Sequence, residues 1–196
     1  MPWAQRMSTL TPSQNLVGDL ALRHLDAAYN LGRWLLGNDA DASDAVHDAF
    51  VRATRAADTY AGGNARAWWL AIVRNCCLAR LATRRRERAD VAIDQIEGAK
   101  GRDAVDALLA GGEADDAERA LETAQRRALF ARHVAGLPVE FREVLLLREI
   151  EEFSYREIAD LLQLPIGTVM SRLSRARALL QAALGAATRE EVKHGL

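Results

Sequence analysis

The sequence predicts an all-α chain: two small helical domains joined by an acidic flexible linker, the C-terminal one containing a helix-turn-helix. Three observations carry this reading. Proline occurs only at Pro2, Pro12, Pro138 and Pro165, and the long intervals are rich in Ala, Leu, Arg and Glu, which favour helix. Apolar residues recur at three- and four-residue spacing, and no strand-like alternation or internal repeat interrupts them. Between about Ala89 and Gly112 the apolar density falls and glycines appear among acids, the pattern of a linker. The domains predicted from this are 10–88 and 120–186, with 89–119 between them.

In chain order, Leu22, Leu25, Tyr29 and Leu36 lie at helical spacing, and Gly37 is a stop signal. Asp39 or Asp41 offers an N-cap for a second helix that runs to about Ala57. Its apolar stripe is Ala42, Ala45, Val46, Ala49, Phe50 and Ala53. Thr59 to Asn64, with Gly62 and Gly63, reads as a loop. A third helix carries Trp68, Trp69, Ile72, Val73 and Leu81 into Arg84, Arg85 and Arg86. Both tryptophans cannot be buried on one narrow face, and the sequence does not choose between them. Helix returns from about Asp116 to Ala135 and stops at Gly136-Leu137-Pro138. Three more helices are predicted at Val139–Glu149, Tyr155–Leu162 and Gly167–Leu184.

The bulk properties exclude several classes. With 49% apolar and 27% charged residues among 196, the chain can build packed cores. No run approaches the length of a membrane span, so no membrane insertion is expected. Met1 to Leu20 has no apolar core of the kind a secretory signal needs. The only cysteines, Cys76 and Cys77, are adjacent, which predicts a reduced, cytoplasmic protein in which they serve as small packing residues, with a redox-sensing role as the alternative. The four histidines are scattered, so no metal site is expected, and no motif calls for a cofactor or a catalytic centre.

Net charge is −1, but the charges are segregated. Arg66 to Arg88 holds seven arginines against Glu87, a net +6, and Asp90 to Glu122 carries a net −7. A basic block beside an acidic one predicts a polyanion partner at one surface and a different partner at another.

The strongest local signal is C-terminal. Ser154-Tyr-Arg-Glu157 fits a capping box that opens a helix with apolar Ile158, Leu161 and Leu162. After the short turn Gln163-Leu164-Pro165 a new helix begins near Gly167-Thr168, which is helix-turn-helix spacing. Val169, Leu173, Ala176 and Leu180 form its core side. Met170, Ser171, Ser174 and Arg175 occupy the remaining surface, flanked by Arg172 and Arg177, and the run Leu164–Leu184 holds no acid. A solvated helical hairpin has the same periodicity. The cap, the turn and the arginines favour DNA, with the second helix in the major groove.

The segments Leu137–Arg148, Ser154–Ala159 and Pro165–Arg177 together resemble the C-terminal domain of extracytoplasmic-function sigma factors, which binds the promoter's minus-thirty-five element. The resemblance implies that Met170, Ser171, Arg172, Ser174, Arg175 and Arg177 face that element. Met170 stands where the family often has Lys or Arg, so one charge is absent from that surface. Further upstream, Asp41-Ala-Ser-Asp44-Ala-Val-His-Asp48-Ala-Phe50 resembles the family's polymerase-binding helix. Its acids Asp41, Asp44 and Asp48 form one stripe at i, i+3 and i+7, and Phe50 is expected in the core. A solvated acidic face is the plainer account of such a stripe taken alone.

Tyr60 to Asn75 is similar to the family's promoter-melting segment, which holds an extruded base. By that resemblance Asn64 and Asn75 contact bases, Arg66 and Arg74 hold phosphates, and Arg80, Arg84 and Arg85 line the strand near the minus-ten element. The partners implied are core RNA polymerase, through its beta-prime and beta subunits, promoter DNA and an anti-sigma factor. Members of this family carry out no catalysis themselves. Two other readings are an activator or repressor that uses only its helix-turn-helix, and a sigma-like decoy without DNA-binding surfaces. The N-terminal motifs oppose the first and the two arginine clusters oppose the second. For the linker, occupancy of a basic polymerase channel, a plain soluble spacer and a shield for the basic helix all stay open.

Overall fold

A computed structural model describes residues 12–60, 62–91 and 128–194. Most of the predicted linker and the predicted start of a helix near Asp116 lie outside the described residues. Among those described, the chain is helical without a strand.

The first predicted helix is two. α1 (Pro12–Arg23) and α2 (Leu25–Leu36) meet at His24, whose φ of −117° and ψ of 25° bend the axis. Backbone bonds from His24 N–H to Leu20 and from Ala28 N–H to the His24 carbonyl carry the chain through the bend. The bend re-aims the buried face. Val17, Leu20 and Ala21 of α1 and Ala28, Leu31 and Leu35 of α2 are buried, whereas Leu22 (72% exposed) and Leu25 face outward, against the expected stripe.

Gly37 ends α2 in the left-handed region, φ 82°, where a Cβ is disfavoured, and its N–H bonds the Arg33 carbonyl at 2.8 Å. The next helix, α3 (Asp39–Arg55), is capped by neither predicted residue, Asp39 or Asp41, but by Asn38. Asn38 is extended, and its side-chain oxygen accepts the Asp41 N–H at 2.8 Å. Asp39 is already helical and pairs with Arg33 at 2.6 Å.

Small residues set how closely these helices approach. Ala42, Ala45, Ala49 and Ala53 are fully buried. A Cβ added at Gly32 would stand 3.2 Å from that of Ala42. So close a seam leaves no room for a ring at its edge, and Phe50, expected in the core, is 38% exposed. After a short 3₁₀ turn (Ala57–Thr59) and a loop in which Gly62 and Gly63 take positive φ, α4 (Ala65–Val91) lies across α2 and α3. Its inner face is Trp69, Leu70, Val73, Cys76 and Cys77. Trp69 is therefore the core tryptophan. Trp68 is half-buried, with its ring 5.2 Å from that of Tyr60. Burial raises the pKa of both thiols, Cys77 to about 12, which suits packing and opposes thiolate chemistry.

The C-terminal unit comprises α5 (described over 128–135), α6 (Val139–Glu149), α7 (Tyr155–Leu162) and α8 (Ile166–His194). α8 continues beyond the predicted end at Leu184. Leu147, Ile158, Val169 and Leu173 are at the centre of this core, all but fully buried, each contributing roughly 1.5–3 kcal/mol. The two units also touch, α2 against α6 and α4 against α7.

Candidate nucleic-acid interface

The helix-turn-helix is built by local chemistry. Ser154 Oγ accepts the Glu157 N–H at 3.3 Å, and the Glu157 carboxylate accepts the Ser154 N–H at 2.9 Å, a complete capping box. The Ser154 N–H first, and then the Ser154 hydroxyl, which donates to the same carboxylate at 2.8 Å, hold the Glu157 carboxyl below the usual carboxylate range. Gln163 ends α7 in the left-handed region, φ 55°, and the Leu164 N–H reaches back to the Ala159 carbonyl at 2.9 Å. The Pro165 carbonyl then accepts the Thr168 and Val169 N–H groups as α8 begins.

The inner side of α8 is Val169, Leu173, Ala176 and Leu180, as the spacing predicts. Met170, Ser171, Ser174 and Arg175 are exposed on its first three turns. Arg172 leans inward to Glu143 at 3.4 Å, and Arg177 pairs with Glu149 at 2.5 Å. An exposed face that opens a helix, contains no acid and presents an arginine suits the major groove.

In the N-terminal unit the acidic stripe and the basic helix meet. Asp41 pairs with Arg84, whose other nitrogen donates to the Leu36 carbonyl. Arg80 spans Asp48 at 2.7 Å and Asp44 at 3.4 Å. Asp44 is 67% exposed, so this pairing in water is weak and leaves the acid open to competition. Asn75 and Arg85 are exposed, and Asn75 accepts a bond from Arg74 at 3.3 Å.

The remaining three predicted minus-ten residues turn toward the C-terminal unit. Asn64 caps α4 by accepting the Ala67 N–H at 3.0 Å, and its amide donates to Glu157 at 2.7 Å. Arg66 pairs with the Glu151 carboxylate, donates to the Glu151 carbonyl at 2.9 Å, and stacks 4.8 Å over the Phe153 ring. Burial pushes the Glu151 carboxyl up, and Arg66 partly restores its charge. Arg74 grips Glu143 with two bonds, at 2.7 and 3.1 Å.

Sequence reasoning missed Glu143, Glu151 and Arg142. Arg142 is mostly buried and fans out to the carbonyls of Trp34, Leu35, Ala135 and Leu137 at 2.9, 3.3, 2.5 and 2.8 Å. Glu143 lies within a run of buried residues, Glu143 to Leu147. An acid in register with a core is the one signal that could have marked it, because a buried carboxylate requires a cation. Which cation is a long-range matter that no local pattern encodes.

Among the described residues, no helix is long and apolar enough to cross a membrane, and no group of acids, histidines or cysteines could hold a metal ion. Residues 20–87 match the family model for sigma-70 region 2, and residues 134–180 match that for sigma-70 region 4. The ECF RNA polymerase sigma-E factor of Escherichia coli is 34% identical over 138 residues, 70% of each chain. The ECF sigma factor SigW of Bacillus subtilis is 29% identical over 171 residues, 86% of this chain and 88% of that one. In three dimensions the chain is similar to the sigma factor RpoE of Bartonella quintana, solved with the anti-sigma factor NepR. The TM-score is 0.65 at 28% identity, over 84% of this chain and 94% of that one. CnrH, solved with the cytosolic domain of CnrY, gives 0.59 at 27% identity, over 88% and 90%. With both sigma-70 regions in order on an all-helical two-domain fold, the chain belongs to the extracytoplasmic-function group of the sigma-70 family, the initiation factors that direct RNA polymerase to promoters.

Proposed function

We propose a division of labour over three surfaces. Asp41, Asp44 and Asp48 of α3 dock on the core polymerase, on a basic element of its beta-prime subunit, with the beta subunit meeting the C-terminal unit. α4 and its cap, with Asn64, Arg66, Arg74, Asn75, Arg80, Arg84 and Arg85, engage and open the minus-ten element. Met170, Ser171, Arg172, Ser174, Arg175 and Arg177 of α8 meet the minus-thirty-five element. The observation that carries the reading is the capped α7, tight turn and acid-free exposed face of α8, following an N-terminal unit whose acidic and basic stripes are both at the surface.

The chain works in the cytoplasm, performs no catalysis of its own, and is held in check by an anti-sigma factor. The last point is supported by the similar structure of RpoE, solved with the anti-sigma factor NepR. Run-off transcription tests the whole reading. Core polymerase with this chain should give discrete transcripts from a genomic promoter library, and core polymerase alone should not. Duplex DNA bound sequence-specifically by the free chain, without any polymerase-dependent transcript, would instead support an activator or repressor.

A further inference from the structure

We propose that an open cleft beside the second half of α4 is a docking site for the chain's own acidic segment Asp103–Leu109, which fills it in the free protein. The cleft measures about 940 Å³, and its other walls are the end of α2, α5 and the start of α6. That is the upper end of the range for ligand clefts, room for a stretch of chain rather than an ion. Its floor is apolar, because Leu78 and Leu81 of α4 and Val139 of α6 are only half-buried. Its charge is one-sided, with Arg84, Arg85, Arg132 and Arg142 against Glu87 alone. Two of these arginines are already used. Arg84 holds Asp41 and the Leu36 carbonyl, and Arg142 is spent on carbonyls. Arg85 and Arg132 are exposed and make no ion pair among the described residues.

The course of the chain identifies the occupant. α4 ends at Val91 and α5 is described from residue 128. Glu87 and Arg132, close to those two ends, both line the cleft, so residues 92–127 leave and return beside it. Within them, Asp103 and Asp106 stand among Val105, Leu108 and Leu109, between Gly101 and Gly111. The acids match Arg85 and Arg132, and the apolar side chains match the floor. Glu113 to Glu118 offers acids with nothing larger than alanine between them, so it has charge but little to bury. Ile93 and Ile96 follow Val91 too soon. Leu78 lies about 20 Å back along α4 from Val91, and an extended chain covers at most about 3.5 Å per residue. Exposed ion pairs are individually weak, so the free segment should bind loosely, and the tether compensates. It supplies an effective concentration of about 1 mM, so a segment with a Kd of about 100 μM is docked about ten times as often as not. Docking requires no minus-ten role for Arg84 or Arg85.

The test uses the full chain with spin labels at Ala107→Cys and at Glu140→Cys, an exposed position next to Val139. Cys76 and Cys77 are buried. The label-to-label distance should be short and narrowly distributed. Asp103→Arg with Asp106→Arg should lengthen and broaden it while leaving every described packing contact in place. Arg85→Glu with Arg132→Glu should do the same, with circular dichroism to check folding, and all four substitutions together should restore the short distance. The control Asp115→Arg with Asp116→Arg makes the same charge change in the same linker and should leave the distance unchanged. A fluorescent peptide of residues 100–112 should bind a chain in which 103–109 are replaced by Gly and Ser. It should bind the parent about tenfold more weakly, because the tethered copy competes.

A broad distance in the labelled chain without further substitution overturns the docking. So does a fourfold reversal that fails to restore the short distance, or a control that releases the segment as fully as reversal of Asp103 and Asp106, because charge alone would then be responsible. Peptide that binds both chains alike, or neither, removes the cleft as the site. Loss of the short distance on dilution with unlabelled chain makes the contact one between two copies and overturns the proposal as well.

Discussion

Replacing Arg142 with methionine should loosen the whole molecule, although Arg142 is not among the residues proposed to meet DNA or polymerase. The guanidinium satisfies carbonyls at two helix ends. Trp34 and Leu35 lie in the last turn of α2, and Ala135 and Leu137 lie at and just beyond the end of α5. Those carbonyls have no partner within their own helices, and both ends carry the negative pole of a helix dipole. Hydrogen bonds to a charged group are worth about 1.5–3 kcal/mol each in isolation. Four such bonds cannot simply be added. Burial lowers the Arg142 pKa, a sign that desolvating the guanidinium already offsets part of the gain. The open cleft of about 940 Å³ that Arg142 lines also lets water replace some bonds after its removal. A net loss of about 2–4 kcal/mol remains, the range of a broken buried network. In a chain of this size each kcal/mol moves the melting midpoint roughly 2–4 °C, so Arg142→Met should melt about 4–16 °C lower. Arg142→Lys keeps the charge but not the planar fork and should fall between parent and Met. Differential scanning fluorimetry with circular dichroism reads this directly. If Arg142→Met melts within a degree of the parent, the carbonyls do not need the guanidinium and the reasoning fails.

Three further outcomes are expected. Asp44→Lys with Asp48→Lys should abolish binding to core polymerase in a pull-down while costing only about 1–2 kcal/mol of folding stability, because both acids are substantially exposed; polymerase binding at parent strength would dismiss the docking role. Arg175→Ala, on the open face of α8, should relax specificity at one upstream promoter position at a cost of ~1–3 kcal/mol. Arg172→Ala should weaken all sequences alike, and a promoter scan with identical profiles for the two would remove base reading from Arg175. Ser154→Ala should destabilise the C-terminal unit by about 1 kcal/mol. Since the Glu157 pKa is lowered, the carboxylate's share is present above the ordinary glutamate pKa and lost as pH falls through the lowered one. An acid titration should therefore bring parent and Ser154→Ala closer together at low pH, and a constant gap would contradict the pairing.

Much of this molecule was legible in its sequence because the responsible forces are local. The Ser154–Glu157 box, the turn at Gln163 and the buried side of α8 follow from capping chemistry and a 3.6-residue period, and each sets its own geometry over a few residues. Charge spacing likewise announced the stripe of Asp41, Asp44 and Asp48 and the arginine run of α4. What the sequence did not decide was how those surfaces are spent in the free chain. The bend at His24, which turned Leu22 and Leu25 outward, depends on how α1 must lie over α3 and α4. Trp69 rather than Trp68 became core, and Phe50 was left at an edge, because the alanine seam fixes which directions have room. Asp48 with Arg80, Arg66 with Glu151 and Arg74 with Glu143 are partners across 32, 85 and 69 positions. A charge at a given position states only that a partner or water is needed. Packing chooses the partner, because only the folded chain sets which carboxylate is both near and shielded from water.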